Sequence, residues 1–241
     1  MEFKKVTREW DTLKKDAMER AKNAAPLVKE GKIVDAKDTV ALLEAVIKPY
    51  DKVNIEGNNQ KQADFLAKCL CQVDPAKIHD LHMVQSVLTL PEHLDVFEKG
   101  IAKKLDMSFS GPQAGRIAQF LQEGKLELGA IHTYLELYGR YFVDLTPRVA
   151  LVAATMADRE GNLFTGFSTE DTPAIVEATK FRQGIVIAQV NKIVDKLPRV
   201  DIPGDWVDYV IQSPKPFYIE PLFTRDPALI TDAQVLKGMM A

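Results

Sequence analysis

Two short stretches and one isolated amide carry the residue types that could do chemistry. The first is Gly57-Asn58-Asn59-Gln60, which sits between Lys52–Glu56, alternating like a short strand, and a helical pattern from about Lys61 with Ala63, Leu66, Leu70 and Val73 on one face. A strand, a Gly/Asn turn and a helix aim backbone N–H groups at an anion, and three side-chain amides add neutral hydrogen-bonding groups. One glycine is not a phosphate-binding fingerprint, and an ordinary strand-to-helix turn accounts for the same residues. The second stretch is Gly166–Thr172 (GFSTEDT), with hydroxyls at Ser168, Thr169 and Thr172 and carboxylates at Glu170 and Asp171. With Pro173 opening the next helix, capping accounts for Asp171 and Thr172, which leaves Ser168, Thr169 and Glu170 as candidates for substrate contact. Asn191 follows an apolar strand, the position at which open α/β sheets meet their ligands.

Other titratable residues point to plainer roles. His79 and His82 are three apart and His132 ends a strand, with no carboxylate or thiolate at a metal-ligand spacing. They read as hydrogen-bonded structural histidines, His132 facing a cleft at most. Cys69 and Cys71, two apart on a helix, point to different faces and read as buried reduced thiols.

The elements that must hold these residues centre on Val149–Asp195. Apolar runs Val149–Ala154 and Ile185–Val190, separated by a helix from Thr172, read as parallel strands buried on both faces. Asp158–Asn162 is a turn, with Gly161 free to take positive φ, and Leu163–Thr165 a short strand. Ahead of this core, helical patterns cover residues 9–30, closed by Gly31, and 38–47, closed by Pro49. Strands are expected at 79–88, 107–109 and 126–131, with helices at 91–105, 114–121 and 133–142 between and after them. Leu197–Asp205 reads as an extended surface segment and Trp206–Gln212 as a last strand. This divides the chain into an α/β domain over 1–212 and a Pro-rich extension over 213–241, too apolar for a loose linker and bound to lie against a surface.

Composition narrows the class further. The 241 residues are 46% hydrophobic with net charge −3, enough for a sizeable core and a weak argument against nucleic acid as partner. No run reaches the ~18 apolar residues of a membrane span, and the N-terminus is no secretory signal, so a cytoplasmic protein is expected.

Several segments in order resemble a known family. Val149 through Asp195, then Asp201-Ile202-Pro203 and Trp206-Val207-Asp208, are similar to the N-terminal half of class I coenzyme A transferases. GNNQKQADFLA (57–67), SFSGPQAGRIAQ (108–119), GAIHTYLELYGR (129–140) and IEPLFTRDP (219–227) resemble the alpha subunit of malonate decarboxylase more closely. The resemblance implies an open, mostly parallel α/β sheet with helices on both faces, the CoA-transferase-like fold. It implies an acyl-carrier-protein transferase that exchanges acetyl for malonyl on the carrier thiol and releases acetate. The cofactor implied is the carrier's phosphopantetheine-type, dephospho-CoA-derived prosthetic group, with no metal. The partners implied are the carrier, the other decarboxylase subunits, malonate and acetate.

The resemblance also places Gly57, Asn58, Asn59 and Gln60 near the acyl site, as part of an oxyanion or cofactor cradle, and assigns the attacking glutamate to a second half beyond Ala241. No catalytic residue is therefore expected in this chain, with Glu170 the fallback nucleophile. Malonate's two charges call for a cation, and Arg116, Arg140 and Arg225 are candidates, each equally readable as a solvated surface arginine. Two other readings stay open: a related transferase acting on citrate or acetate, or a non-catalytic half that docks the carrier or a sister subunit through the 213–227 stretch.

Overall fold

The computed structural model describes residues 12–57, 61–166 and 171–219. Asn58, Asn59, Gln60, Ser168, Thr169, Glu170, Arg225 and most of the Pro-rich extension lie outside the described residues.

In chain order the elements are α1 (Thr12–Ala24), β1 (Val28–Glu30), β2 (Ile33–Val34), α2 (Thr39–Val46), β3 (Lys52–Ile55), α3 (Asp64–Leu70), β4 (Leu81–Val87), α4 (Glu92–Glu98), β5 (Ala102–Phe109), α5 (Ala114–Gln122), β6 (Glu127–Ile131), α6 (Tyr134–Val143), β7 (Val149–Ala157), β8 (Leu163–Phe164), α7 (Thr172–Phe181), β9 (Ile185–Ile193) and β10 (Tyr209–Gln212). One sheet joins the strands in the order β1-β2-β10-β9-β7-β3-β4-β5-β6, with β8 paired to β7. Every pairing from β2 through β6 is parallel, while β1 and β8 are antiparallel additions.

The two apolar runs behave as their composition demands. β7 and β9 pair in parallel from Val149↔Ile185 to Ala157↔Ile193. Along β7, Val149, Leu151 and Ala153 enter one core with α2, α3, α4 and α5, while Ala150, Val152 and Ala154 enter the other with α6 and α7. Alternate side chains leave opposite faces of a strand, so a strand covered on both sides must be apolar throughout.

Some boundaries differ from expectation, each for a local reason. The first helix stops at Ala24 because Pro26 follows, and Val28–Glu30 becomes edge strand β1 instead of a last helical turn. The helix expected over 91–105 ends at Glu98. Gly100 takes φ +73°, and β5 has already begun at Ala102, five residues ahead of the strand expected at 107. The last strand begins at Tyr209, because Gly204–Trp206 forms a 3₁₀ turn. Gly161 takes φ +87° in the β7–β8 turn, the conformation that position required.

The order of connection matters for the site. From β3 the chain runs outward through β4, β5 and β6, then returns to the other side of β3 and continues through β7, β9 and β10. The direction of winding therefore reverses between β3 and β7, and open α/β sheets bind ligands at the strand C-termini of such a switch point.

Candidate functional site

Glu56 lies at that switch point, one residue past β3. Its backbone N–H donates to Leu151 O on β7 at 2.8 Å, and Ala153 N–H donates to its Oε2 at 2.7 Å. Lys61 Nζ lies 2.6 Å from Glu56 Oε1, and both side chains are buried, at 1% and 0% exposure. The pair closes the base of the Gly57–Gln60 loop. A bridge between Gly57 and Gln62 and a bond from Ala63 N–H to Glu56 O, 3.0 Å, tie the same two ends.

Thr172, the first residue of α7, completes the clamp: its hydroxyl donates to Glu56 Oε1 and accepts from Lys61 Nζ. Next to it, Ser86 on β4 donates to Asp171 Oδ2. Asn54 on β3 donates to Val84 O at 2.7 Å and to the Tyr141 hydroxyl at 3.3 Å. Burial pushes the Glu56 carboxyl up, with the Lys61 ammonium opposing and the Asp171 carboxylate adding to the rise. Burial also lifts the Tyr141 phenol well above its ordinary value.

Asp171 and Thr172 are therefore not caps. The N-cap position makes no side-chain capping bond, and both side chains are spent inside this buried network. The consequence is spatial. Lys61 and Thr172, 111 residues apart in the chain, meet through hydrogen bonds at the C-terminal ends of β3, β4 and β7.

The helix behind the first loop begins at Asp64 instead of Lys61, and its N-terminal turn is already engaged by protein. Leu66 N–H donates to Gln189 Oε1 at 3.0 Å, while Gln189 Nε2 donates to Asp64 Oδ1 at 2.9 Å. Gly57 is required on packing grounds: a Cβ would lie 2.4 Å from His93 Cε1 and 3.0 Å from Val87 O. His93 is fully buried, neither ring nitrogen is hydrogen-bonded among the described residues, and desolvation lowers its pKa to about 3, so it is neutral.

The remaining candidates separate from this centre. Asn191 accepts a bond from Phe217 N–H at 2.9 Å, pinning the chain after β10 onto the sheet. Arg116 pairs with Asp95 and Glu98, and Arg140 with Asp144 and Glu136, so both are surface ion pairs. His79 bonds Asp80. His82 and His132 both bond Asp106, at 2.6 and 2.8 Å, in the space left by Gly129 beside it. Cys69 and Cys71 are free and buried, and burial raises their thiols to about 11 and about 12. Among the described residues no group of three or more His, Cys, Asp or Glu could hold a metal, and no helix is long and apolar enough to cross a membrane.

Residue types alone did not single out Glu56, Lys61, Asn54, Ser86, Gln189 or Tyr141. A signal was present: Asn54, Ser86 and Gln189 are polar residues next to apolar ones in β3, β4 and β9, and a polar residue in a doubly covered strand needs a buried partner.

The fold is coenzyme A transferase-like. Glutaconate coenzyme A-transferase from Acidaminococcus fermentans superposes over 78% of this chain and 78% of its own with TM-score 0.58 at 16% identity, a likeness of fold. The family is narrower: residues 9–241 match the model described as malonate decarboxylase, alpha subunit, transporter, and the chain belongs to that family. It is 68% identical over 232 residues, 96% of this chain and 42% of the relative, to an acetyl-S-ACP:malonate ACP transferase of Malonomonas rubra. A Pseudomonas malonate decarboxylase hetero-tetramer, crystallised with malonate, aligns at 58% identity and TM-score 0.87 over 90% of this chain and 40% of that one. The chain thus spans about two-fifths of the length of these relatives.

Proposed function

We propose that this chain supplies the N-terminal part of an acyl-carrier-protein transferase. The reaction, in the cytoplasm, exchanges acetyl for malonyl on the carrier thiol with release of acetate, and other subunits of a malonate decarboxylase use the malonyl-carrier. The carrier's prosthetic group, of phosphopantetheine type and derived from dephospho-CoA, supplies the thiol that bears the acyl group. Gly57, Asn58, Asn59 and Gln60 hold that arm and the developing oxyanion through backbone N–H groups and amides. Ser168, Thr169 and Glu170 serve the malonate side, Asn191 supports it only from a distance by holding the chain after β10 to the sheet, and the attacking carboxylate comes from a further domain. Residues 1–212 form the transferase domain and 213–241 lead toward that second one.

The observation that carries this reading is the clamp of Glu56, Lys61 and Thr172. It holds the flanks of both candidate loops together at the switch point, where one acyl group can meet both. The packing of His93 against Gly57 fits the group as well, since it leaves the loop no room for a side chain at its first residue.

The test is acetyl exchange on the full-length protein with malonate, citrate and acetate supplied in parallel. Malonate should be preferred, and Asn58→Ala with Asn59→Ala should lower exchange by about 10²-fold, the scale of a lost oxyanion donor. Preference for citrate or acetate overturns the substrate assignment. Unchanged exchange in the double variant removes the role of the loop.

A further inference from the structure

We infer that His93 is a positioning residue of the transfer reaction: its ring hydrogen-bonds the oxygens that converge beside Gly57 and so braces that residue as the oxyanion forms. This rests on the carrier-transferase reading and gives a task to a residue that the reading leaves idle.

The geometry sets the ring against the backbone just after β3. His93 is the second residue of α4 and has no exposure to water. Its Cε1 stands 2.4 Å from where a Gly57 Cβ would be, and Val87 O and Gln62 Oε1 lie 3.0 and 3.1 Å from the same point. Both ring nitrogens are bonded to Cε1, so the two possible N–H donors flank the place where these acceptors converge. The preceding residue, Glu56, is held by Lys61 and Thr172. Successive side chains leave opposite faces of an extended chain, so this short stretch is gripped from both sides: by the clamp through Glu56, and by the imidazole at Gly57.

Packing alone does not call for a histidine. Neither ring nitrogen has a hydrogen-bond partner among the described residues, and the same holds for the amide of Gln85 on β4 and the hydroxyl of Thr89 just after that strand. Unpaired buried polar groups cost stability, and an apolar side chain would fill the same space without that cost. Hydrogen bonds of catalytic sites are often long or misaligned in the free enzyme and tighten only in the complex. Desolvation holds the His93 pKa at about 3, so the imidazole serves as a neutral donor and not as an acid. Bracing matters here because a shift of about 1 Å in a reacting geometry can cost about 10²-fold in rate.

The experiment is acetyl exchange with malonate by the full-length protein, wild type, His93→Phe, His93→Met and His93→Gln, with a thermal melt of each. Phe and Met fill the site without a hydrogen-bond donor, whereas Gln restores a neutral one. The apolar variants should melt at or above the wild-type temperature, because they remove two unpaired buried nitrogens. They should also lose about 10- to 100-fold in kcat with KM for the acetyl-carrier within about 2-fold, the pattern of a contact made only in the transition state. His93→Gln should recover most of kcat even where its Tm is lower. A kcat within about 2-fold of wild type in both apolar variants overturns the role. A kcat that falls only in step with Tm, or a Gln variant as slow as the apolar ones, assigns the ring to packing and overturns it as well. Wild-type preference for citrate or acetate, with the apolar variants still slow, overturns the malonate assignment instead and leaves the role of His93 standing. A wild type that transfers no acyl group overturns the transferase reading and this role with it.

Discussion

Replacing Lys61 with methionine removes the ammonium from a carboxylate that has no exposure to water. At 2.6 Å and an effective dielectric constant of ~20, the attraction between Lys61 and Glu56 is about 6 kcal/mol. The stranded Glu56 keeps the Thr172 hydroxyl and the Ala153 N–H, and it can escape its charge by taking a proton. The expected loss is therefore the ~3–5 kcal/mol typical of breaking a buried pair from one side. With a urea slope of about 2 kcal/mol/M, the unfolding midpoint should fall by about 2 M. The loss should depend on pH in a definite sense. The folded-state pKa of Glu56 is already raised by burial, and removing Lys61 raises it further. A carboxyl whose folded pKa is raised contributes stability below its unfolded value and loses it as pH rises through the folded one. The deficit of Lys61→Met relative to wild type should thus be smaller at pH 5 than at pH 8. Glu56→Gln/Lys61→Met should recover most of the stability and flatten the pH dependence. A deficit under about 1 kcal/mol, or a double variant as unstable as the single one, would refute the claim that this pair holds the loop stem.

Gly129→Ala would put a Cβ 2.1 Å from Asp106 Oδ2 and expel that carboxylate from between His82 and His132. The overpacking cost of about 1–3 kcal/mol should lower Tm by roughly 3–10 °C in a thermal melt. Burial alone would raise the Asp106 pKa, but its bonds to His132 and His82 outweigh this and hold it low. Its stabilisation is therefore present above the ordinary carboxylate range and lost as pH falls through the depressed folded value. Asp106→Asn should flatten the acid limb of the stability curve, and an unaltered limb would count against the histidine bridge. Gly57→Ala should lower Tm by a similar amount, and His93→Ala should restore part of it. Independent, additive losses would show that the His93 contact is not what excludes a side chain at that position. Cys69 and Cys71 should resist a thiol reagent at pH 8 in the folded protein and react fully in denaturant.

The sequence by itself determined the layered α/β class. Val149–Ala154 and 185–188 are apolar at both odd and even positions, and only a strand covered on both faces tolerates that. It also placed the GNNQ turn after a strand and identified the family, because residues over nearly the whole chain occur in the family's order. Helix ends were less legible where a single residue decides them. Pro26 ends α1 early, and Gly100 lets β5 start five residues sooner than the pattern of apolar positions suggested. The candidate centre was legible only in part. Asp171 and Thr172 have the composition of a helix cap, and capping is a local interaction that sequence can express. Their partners Ser86, Glu56 and Lys61 lie 85, 116 and 111 residues away in the chain. That contact exists because the winding reverses between β3 and β7, which brings β3, β4 and β7 side by side. Spacing along the chain carries no record of such a reversal. The strand β3 ahead of Gly57 was therefore readable from sequence, while the clamp that joins Glu56 and Lys61 to α7 was decided by the sheet order alone.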